Sequence, residues 1–117
     1  MIGPHAGLKH IYLSGPMTGL PEGNYPAFFR YEEFLLSLGW QVSNPARINP
    51  HPPGKDVDEQ TRAQSIWRDL EAVRDSDCMA VMPGWENSIG ARAEMFLARS
   101  LNHPIFDIET GEEIIVK

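Results

Sequence analysis

Two carboxylates are set apart by the residues around them. Glu94 has Gly90, Ala91, Leu97 and Ala98 as its neighbours along a helix, so no basic side chain three or four residues away can pair with it. It falls on the margin of an apolar stripe, one to two turns into that helix. Asp69 lies on the preceding helix. Wound at about 100° per residue, it falls between Ile66 and Val73 on the apolar face. A carboxylate turned toward a buried face needs a partner or a chemical task. A backbone amide or an arginine could pin Asp69, and a solvated Glu94 is the plain alternative. Two carboxylates at one edge suit glycoside-type chemistry instead. One attacks or stabilises an oxocarbenium-like centre, and the other handles the leaving group's proton.

The helix start offers a second chemical feature. Asn87 or Ser88 can cap it, and Gly90 in the first turn leaves amides and the positive dipole end open to a phosphate or carboxylate. Capping alone would also account for Ser88. Trp85, in the preceding loop, is a candidate lid or contact residue. At the other end of the chain, Ser14-Gly15-Pro16-Met17-Thr18-Gly19 carries glycines that let a backbone approach a ligand. Ser14, Gly15, Met17, Thr18 and Gly19 join the candidate binding residues. No metal and no cofactor is expected. His5, His10, His51 and His103 lack ligand spacing, Cys78 stands alone, and no phosphate-loop, dinucleotide or nucleophile-elbow motif occurs.

These residues need a scaffold that delivers them to one edge. His10 to Ser14 is a short apolar run that stops at Gly15-Pro16, the pattern of a buried parallel strand. Phe28, Tyr31, Leu35 and Leu38 recur at helical spacing before a stop at Gly39. Trp40 to Ser43 reads as a second strand and Cys78 to Met82 as a third. Pro104 to Asp107 makes a fourth, and Ile114 to Val116 a further strand or a docking segment. Helices are expected over Glu59–Arg74, with Ile66, Leu70 and Val73 buried, and over Ser88–Leu101, with Ile89, Ala93, Phe96, Leu97 and Leu101 buried. The Pro-rich stretch from Asn49 to Asp56 fits neither a helix nor an interior strand, and reads as a surface loop or lid.

Strand and helix alternate, so the expected fold is α/β: three layers, Rossmann/flavodoxin-like, a mostly parallel sheet of four to five strands with helices on both faces. In such a sheet ligands bind outside the carboxyl ends of the strands, at the switch point of strand order. At 117 residues the expectation is one domain spanning 1–117, with residues 1–9 a loose leader. A net charge of −6 disfavours a nucleic-acid duplex but not a small phosphorylated ligand. The single cysteine, the lack of a membrane-length apolar run and the lack of a signal-peptide pattern point to a cytoplasmic protein.

Three ordered motifs carry a family resemblance: Ile11-Tyr12-Leu13-Ser14-Gly15-Pro16, Arg68-Asp69-Leu70 through Asp77, and Ser88-Ile89-Gly90 through Glu94. The chain resembles the nucleoside 2-deoxyribosyltransferase-like superfamily, which includes deoxyribosyltransferases and 2′-deoxynucleoside 5′-monophosphate N-glycosidases. It looks closest to the DUF4406 branch found in phages and bacteria. The resemblance implies Glu94 as nucleophile at C1′ and Asp69 as the acid that helps the base leave. Tyr12 would lie near the substrate. Transferases acting on free nucleosides tend to carry an aspartate six positions before the glutamate, whereas the monophosphate hydrolases carry a serine. Here it is Ser88, which favours a nucleoside 5′-monophosphate. An arginine that the hydrolases place in the first loop is replaced by Met17-Thr18, leaving backbone amides or Arg92 to meet the phosphate. The resemblance also implies a homodimer or higher homo-oligomer.

The implied activity is cleavage of the N-glycosidic bond of a (deoxy)nucleoside 5′-monophosphate, by hydrolysis or base transfer. A nucleotide-binding module without turnover is the alternative, sensing or sequestering its ligand through the same loops. An oligomeric scaffold in which the carboxylates only satisfy helix ends is a third. Six helical residues at about 1.5 Å rise place Ser88 and Glu94 roughly 9 Å apart along the axis, the span from a 5′-phosphate to C1′.

Overall fold

The computed structural model describes residue 1 and residues 3–50 and 58–115. Its centre is a pair of strands whose apolar stretches are Ile11-Tyr12-Leu13 and Cys78–Val81. β1 (His10–Ser14) and β3 (Cys78–Val81) are buried on both faces and pair in parallel, Tyr12 opposite Met79 and Ser14 opposite Val81. β2 (Gln41–Ser43) and β4 (Ile105–Asp107) are shorter and less buried, and they take the edges. The sheet order is β2-β1-β3-β4, all parallel, as expected for a flavodoxin-like arrangement.

Side chains alternate across a strand, so the sheet has two cores. Ile11, Leu13, Cys78 and Ala80 pack against Phe28 and Leu35 of α1 (Tyr25–Ser37) on one face. Tyr12, Met79 and Val81 pack on the other against Val73 of α3 (Glu59–Asp75) and against Met95 and Ala98 of α4 (Ile89–Ser100). This alternation matters for function, because Ser14 follows Tyr12 by two residues and shares its face.

The helix starts are fixed by side-chain caps. Asp58 Oδ1 accepts from the Thr61 amide at 2.7 Å, and Ser88 Oγ from the Ala91 amide at 3.1 Å. A short helix, α2 (Pro45–Ile48), was not expected. Asn44 caps it by accepting from the Ala46 amide at 2.9 Å, and Pro45 supplies its first position. Ahead of β1, Asp77 Oδ2 accepts from the Lys9 and His10 amides, each at 2.9 Å. These two bonds hold the Asp77 carboxyl below the usual range.

Some expectations need correction. The face of α4 turned to the sheet carries Ala91, Met95 and Ala98, whereas Ile89 is 79% and Phe96 75% exposed. Ala93 and Leu101 are exposed as well, and only Leu97 of the expected stripe is partly covered. On α3, Val73 is buried and Leu70 partly so, but Ile66 is 52% exposed. The tail adds no strand to the sheet among the described residues. It makes one antiparallel bridge, Phe106 to Glu113, and the Ile114 amide donates to the Ile105 carbonyl at 2.7 Å. Most of the Pro-rich stretch read as a loop or lid lies outside the described residues.

Gly15 is required by packing. A Cβ there would sit 2.8 Å from Met82 Cβ and 2.9 Å from Met82 Sδ, so the glycine lets the ends of β1 and β3 close together. Gly15→Ala is expected to destabilise the protein by about 1–3 kcal/mol, the cost of overpacking a tight contact. Urea unfolding checks this, and an unchanged midpoint would refute it.

Candidate active site

From β1 the chain moves outward to β2, then crosses back to β3 and on to β4. The switch point is therefore the crevice between the carboxyl ends of β1 and β3, where open α/β sheets bind ligands. Ser14 closes β1 there, and α4 passes over the same edge after the turn that follows β3.

Glu94 meets β1 in this crevice. Tyr12 Oη donates to Glu94 Oε2 at 2.9 Å, and Ser14 Oγ donates to Oε1 at 2.7 Å. Both carboxylate oxygens are thus oriented by hydroxyls, and each keeps acceptor capacity for a further group. The lack of a basic neighbour on α4 has its answer here, because the partners come from a strand about eighty positions away in sequence. The helix angle explains the placement: Glu94 lies about 40° round the helix from Ala98, at the edge of the sheet-facing side that carries Ala91, Met95 and Ala98. Burial pushes its carboxyl up to about 7, and the two hydroxyl bonds oppose that rise. Burial, together with the charge of Glu94, drives the Tyr12 phenol far above its ordinary value, so it stays a neutral donor.

Asp69, on α3, is partly buried and within electrostatic reach of Glu94. Burial first, then the Glu94 charge, raises it to about 8. Among the described residues its hydrogen-bond partner is neither a backbone amide nor an arginine. Asn49 Nδ2 donates to Asp69 Oδ1 at 2.9 Å, and Tyr25 Oη donates to the Asn49 carbonyl. Neither Asn49 nor Tyr25 was picked out from the sequence as a site residue. No sequence signal marks them: Asn49 is one polar residue at the start of a Pro-rich stretch, and Tyr25 opens an ordinary amphipathic helix.

The structure therefore brings Tyr12, Ser14, Glu94 and Asp69 together. Ser88 caps the helix that carries Glu94, and Trp85 is partly buried against the same core as Tyr12. Gly90 is exposed, and a Cβ there would meet only Ser88 Oγ at 4.0 Å, so the helix start is open. Met17 packs partly buried on the opposite core, while Thr18, Gly19 and Asn87 are exposed. No side-chain hydrogen bond among the described residues links these last residues to either carboxylate. Arg92 is exposed. No group of three or more His, Cys, Asp or Glu able to hold a metal occurs among the described residues, and none of their helices is long and apolar enough to cross a membrane.

Two raised carboxyls in one crevice make a pair suited to acid and base work. Both carboxyls are raised and close enough to interact, so a state in which one holds a proton while the other is ionised is favoured near neutral pH. Such a pair can protonate a leaving group and attack or stabilise the electron-poor carbon it leaves.

Comparison with known proteins agrees with this layout. A family model described as a domain of unknown function, DUF4406, matches residues 9–107. No curated protein matches the chain. A 2-deoxyribosyltransferase from the psychrotolerant bacterium Bacillus psychrosaccharolyticus superposes with a TM-score of 0.64 at 26% identity, covering 92% of this chain and 77% of that one. A conserved protein from Enterococcus faecalis V583 shares the fold, with a TM-score of 0.58 at 21% identity over 86% of this chain and 63% of that one. The chain belongs to the DUF4406 family, and its parallel sheet and helices are arranged as in a 2-deoxyribosyltransferase.

Proposed function

We propose that the protein cleaves the N-glycosidic bond of a (deoxy)nucleoside 5′-monophosphate, with Glu94 as nucleophile and Asp69 as acid and base. The observation that carries this reading is the Glu94 carboxylate at the switch point, held at both oxygens by Tyr12 and Ser14 with Asp69 in electrostatic reach. The likeness to a 2-deoxyribosyltransferase supports it.

In the first step a Glu94 oxygen bonds to C1′ while the bond from C1′ to the base breaks, and the base leaves with the proton of Asp69. In the second step water attacks C1′, its proton passes to Asp69, and the ester to Glu94 breaks. Sugar phosphate departs and both carboxyls return to their starting states. A second base in place of water gives transfer. The Tyr12 and Ser14 hydroxyls hold the nucleophile in place and bear part of its charge when it departs.

Ser88 supports a phosphate rather than a free 5′-hydroxyl. A neutral hydroxyl at the open start of α4 leaves the dipole and amides available to an anion, where a carboxylate would repel it. Exposed apolar side chains on α3 and α4, among them Trp67 and Phe96, support self-association. The working unit in this reading is a homo-oligomer of single-domain, cytoplasmic chains without a cofactor.

The test is a panel of nucleosides and nucleoside 5′-monophosphates, with release of free base followed by chromatography. Monophosphates are expected to react and free nucleosides to react at least about tenfold more slowly. Ser88→Asp is expected to narrow or reverse that preference by charge repulsion worth a few kcal/mol. No base from any nucleotide would refute turnover, and equal rates for both classes would refute the phosphate assignment.

A further inference from the structure

Asn49 has no role in the reaction as written, yet it is tied down from several sides. It ends α2, and its amide N–H donates to the Pro45 carbonyl at 2.9 Å. Its own carbonyl accepts from Tyr25 Oη of α1. Its side chain bridges to α3, where Nδ2 meets Asp69 Oδ1 at 2.9 Å and the Ser65 carbonyl at 3.3 Å, while Oδ1 accepts from Arg68 Nη1 at 3.5 Å. These contacts specify which way round the amide sits. Turned over, its oxygen would face two acceptors, the Ser65 carbonyl and the Asp69 carboxyl, and its NH2 would face a guanidinium.

We infer that Asn49 is the positioning residue of the second carboxylate: by donating to Oδ1 it fixes the rotation of the Asp69 carboxyl and leaves Oδ2 as the oxygen that carries the working proton. Oδ2 has no hydrogen-bond partner among the described residues, so an acid proton there is free for a leaving group. A neutral donor suits the task. It satisfies one oxygen of a partly buried carboxyl without the full charge of an arginine, which would stabilise the anion too strongly for an acid acting near neutral pH. The deprotonated form also accepts this bond, so Asn49 holds the same geometry when Asp69 acts as base. This role rests on the function proposed above.

The charged and titratable groups around Asp69 are Glu94 on α4, Tyr12 on β1, Tyr25 on α1 and Arg68 on α3. Burial and Glu94 raise Asp69, and by general principle a donor to the ionised form of a carboxyl acts in the opposite sense. Removing the donor is therefore expected to raise Asp69 further. In Asn49→Ala the Asp69 midpoint, read by carbon-13 NMR of the labelled carboxyl, moves up by about one unit. The basic limb of the pH–rate profile for base release moves with it. At pH 7, kcat falls about tenfold with KM nearly unchanged, because a mis-rotated acid fails in the transition state rather than in binding. Tyr25→Phe, which removes the donor to the Asn49 carbonyl and leaves the Asn49 side chain in place, shifts both readouts in the same direction by less, and it serves where Asn49→Ala fails to fold. An unmoved Asp69 midpoint and an unmoved basic limb in folded variants would overturn the inference. If the unaltered protein releases no base, the proposed function falls, and the NMR midpoint alone still decides whether Asn49 controls Asp69.

Discussion

Glu94→Gln is expected to lower base release from a nucleoside 5′-monophosphate by at least about a thousandfold, with the fold intact. Glutamine keeps the shape of glutamate, and its amide can still bond the hydroxyls of Tyr12 and Ser14, which rotate to donate or accept. What it lacks is a carboxylate able to form a glycosyl ester. Tyr12→Phe and Ser14→Ala each remove one orienting donor and leave the nucleophile, so losses of about ten- to a hundredfold are expected. Asp69→Asn retains a bond to Asn49 but has no proton to give, and the loss is expected to be on the order of 10² to 10⁴. The measurement is single-turnover base release for each variant, with circular dichroism as the check on folding. A Glu94→Gln protein that turns over like the wild type would remove the nucleophile from the account.

The same carboxyls are expected to weaken the fold at the pH where they work. Both have folded-state values above their ordinary ones: Glu94 goes from 4.5 to about 7, and Asp69 from 3.8 to about 8. Between the ordinary and the raised values the folded chain holds protons that the unfolded chain has released. Stability therefore falls as pH rises from about 4 to about 8, then levels off. Amide replacements remove this titration. Glu94→Gln and Asp69→Asn should each be more stable than wild type at pH 8, by several kcal/mol, and close to it at pH 4. Urea unfolding at the two pH values reads the difference directly. Variants less stable than wild type at pH 8 would contradict the raised values. A gain would identify the pair as groups kept for chemistry at the expense of stability.

The parts of this site that were readable from sequence are those set by local pattern. The runs around Ile11-Tyr12-Leu13 and Met79-Ala80-Val81 are apolar on both sides, so central parallel strands follow from composition. Ser88 is a cap by residue type, and the isolation of Glu94 from basic neighbours marks it in the sequence. The buried face of α4 differs from the one its periodicity predicts because that helix is apolar on two sides. Ile89 and Phe96 are bulky and dominate a periodicity reading, yet the sheet accepts the small side, Ala91 and Ala98 with Met95. Close approach of helix to strand favours small residues, and that approach is what brings Glu94 within reach of Tyr12 and Ser14.

What escaped the sequence is tertiary in origin. Gly15 reads as a flexible loop residue until β3 is placed beside β1, where Met82 leaves no room for a Cβ. Asn49 sits at the edge of a Pro-rich stretch, and only the β2-β1-β3-β4 order sets the end of α2 against α3 and Asp69. α2 has four residues, too few for any periodicity to announce it.

The central claim is a covalent bond between Glu94 and C1′. Mixing the protein with a nucleoside 5′-monophosphate, quenching in acid during turnover and mapping the digest by mass spectrometry tests it most directly. The account predicts a sugar-phosphate ester on the peptide that carries Glu94, absent in Glu94→Gln. Base release with the ester on another residue, or undiminished release in Glu94→Gln, would contradict it.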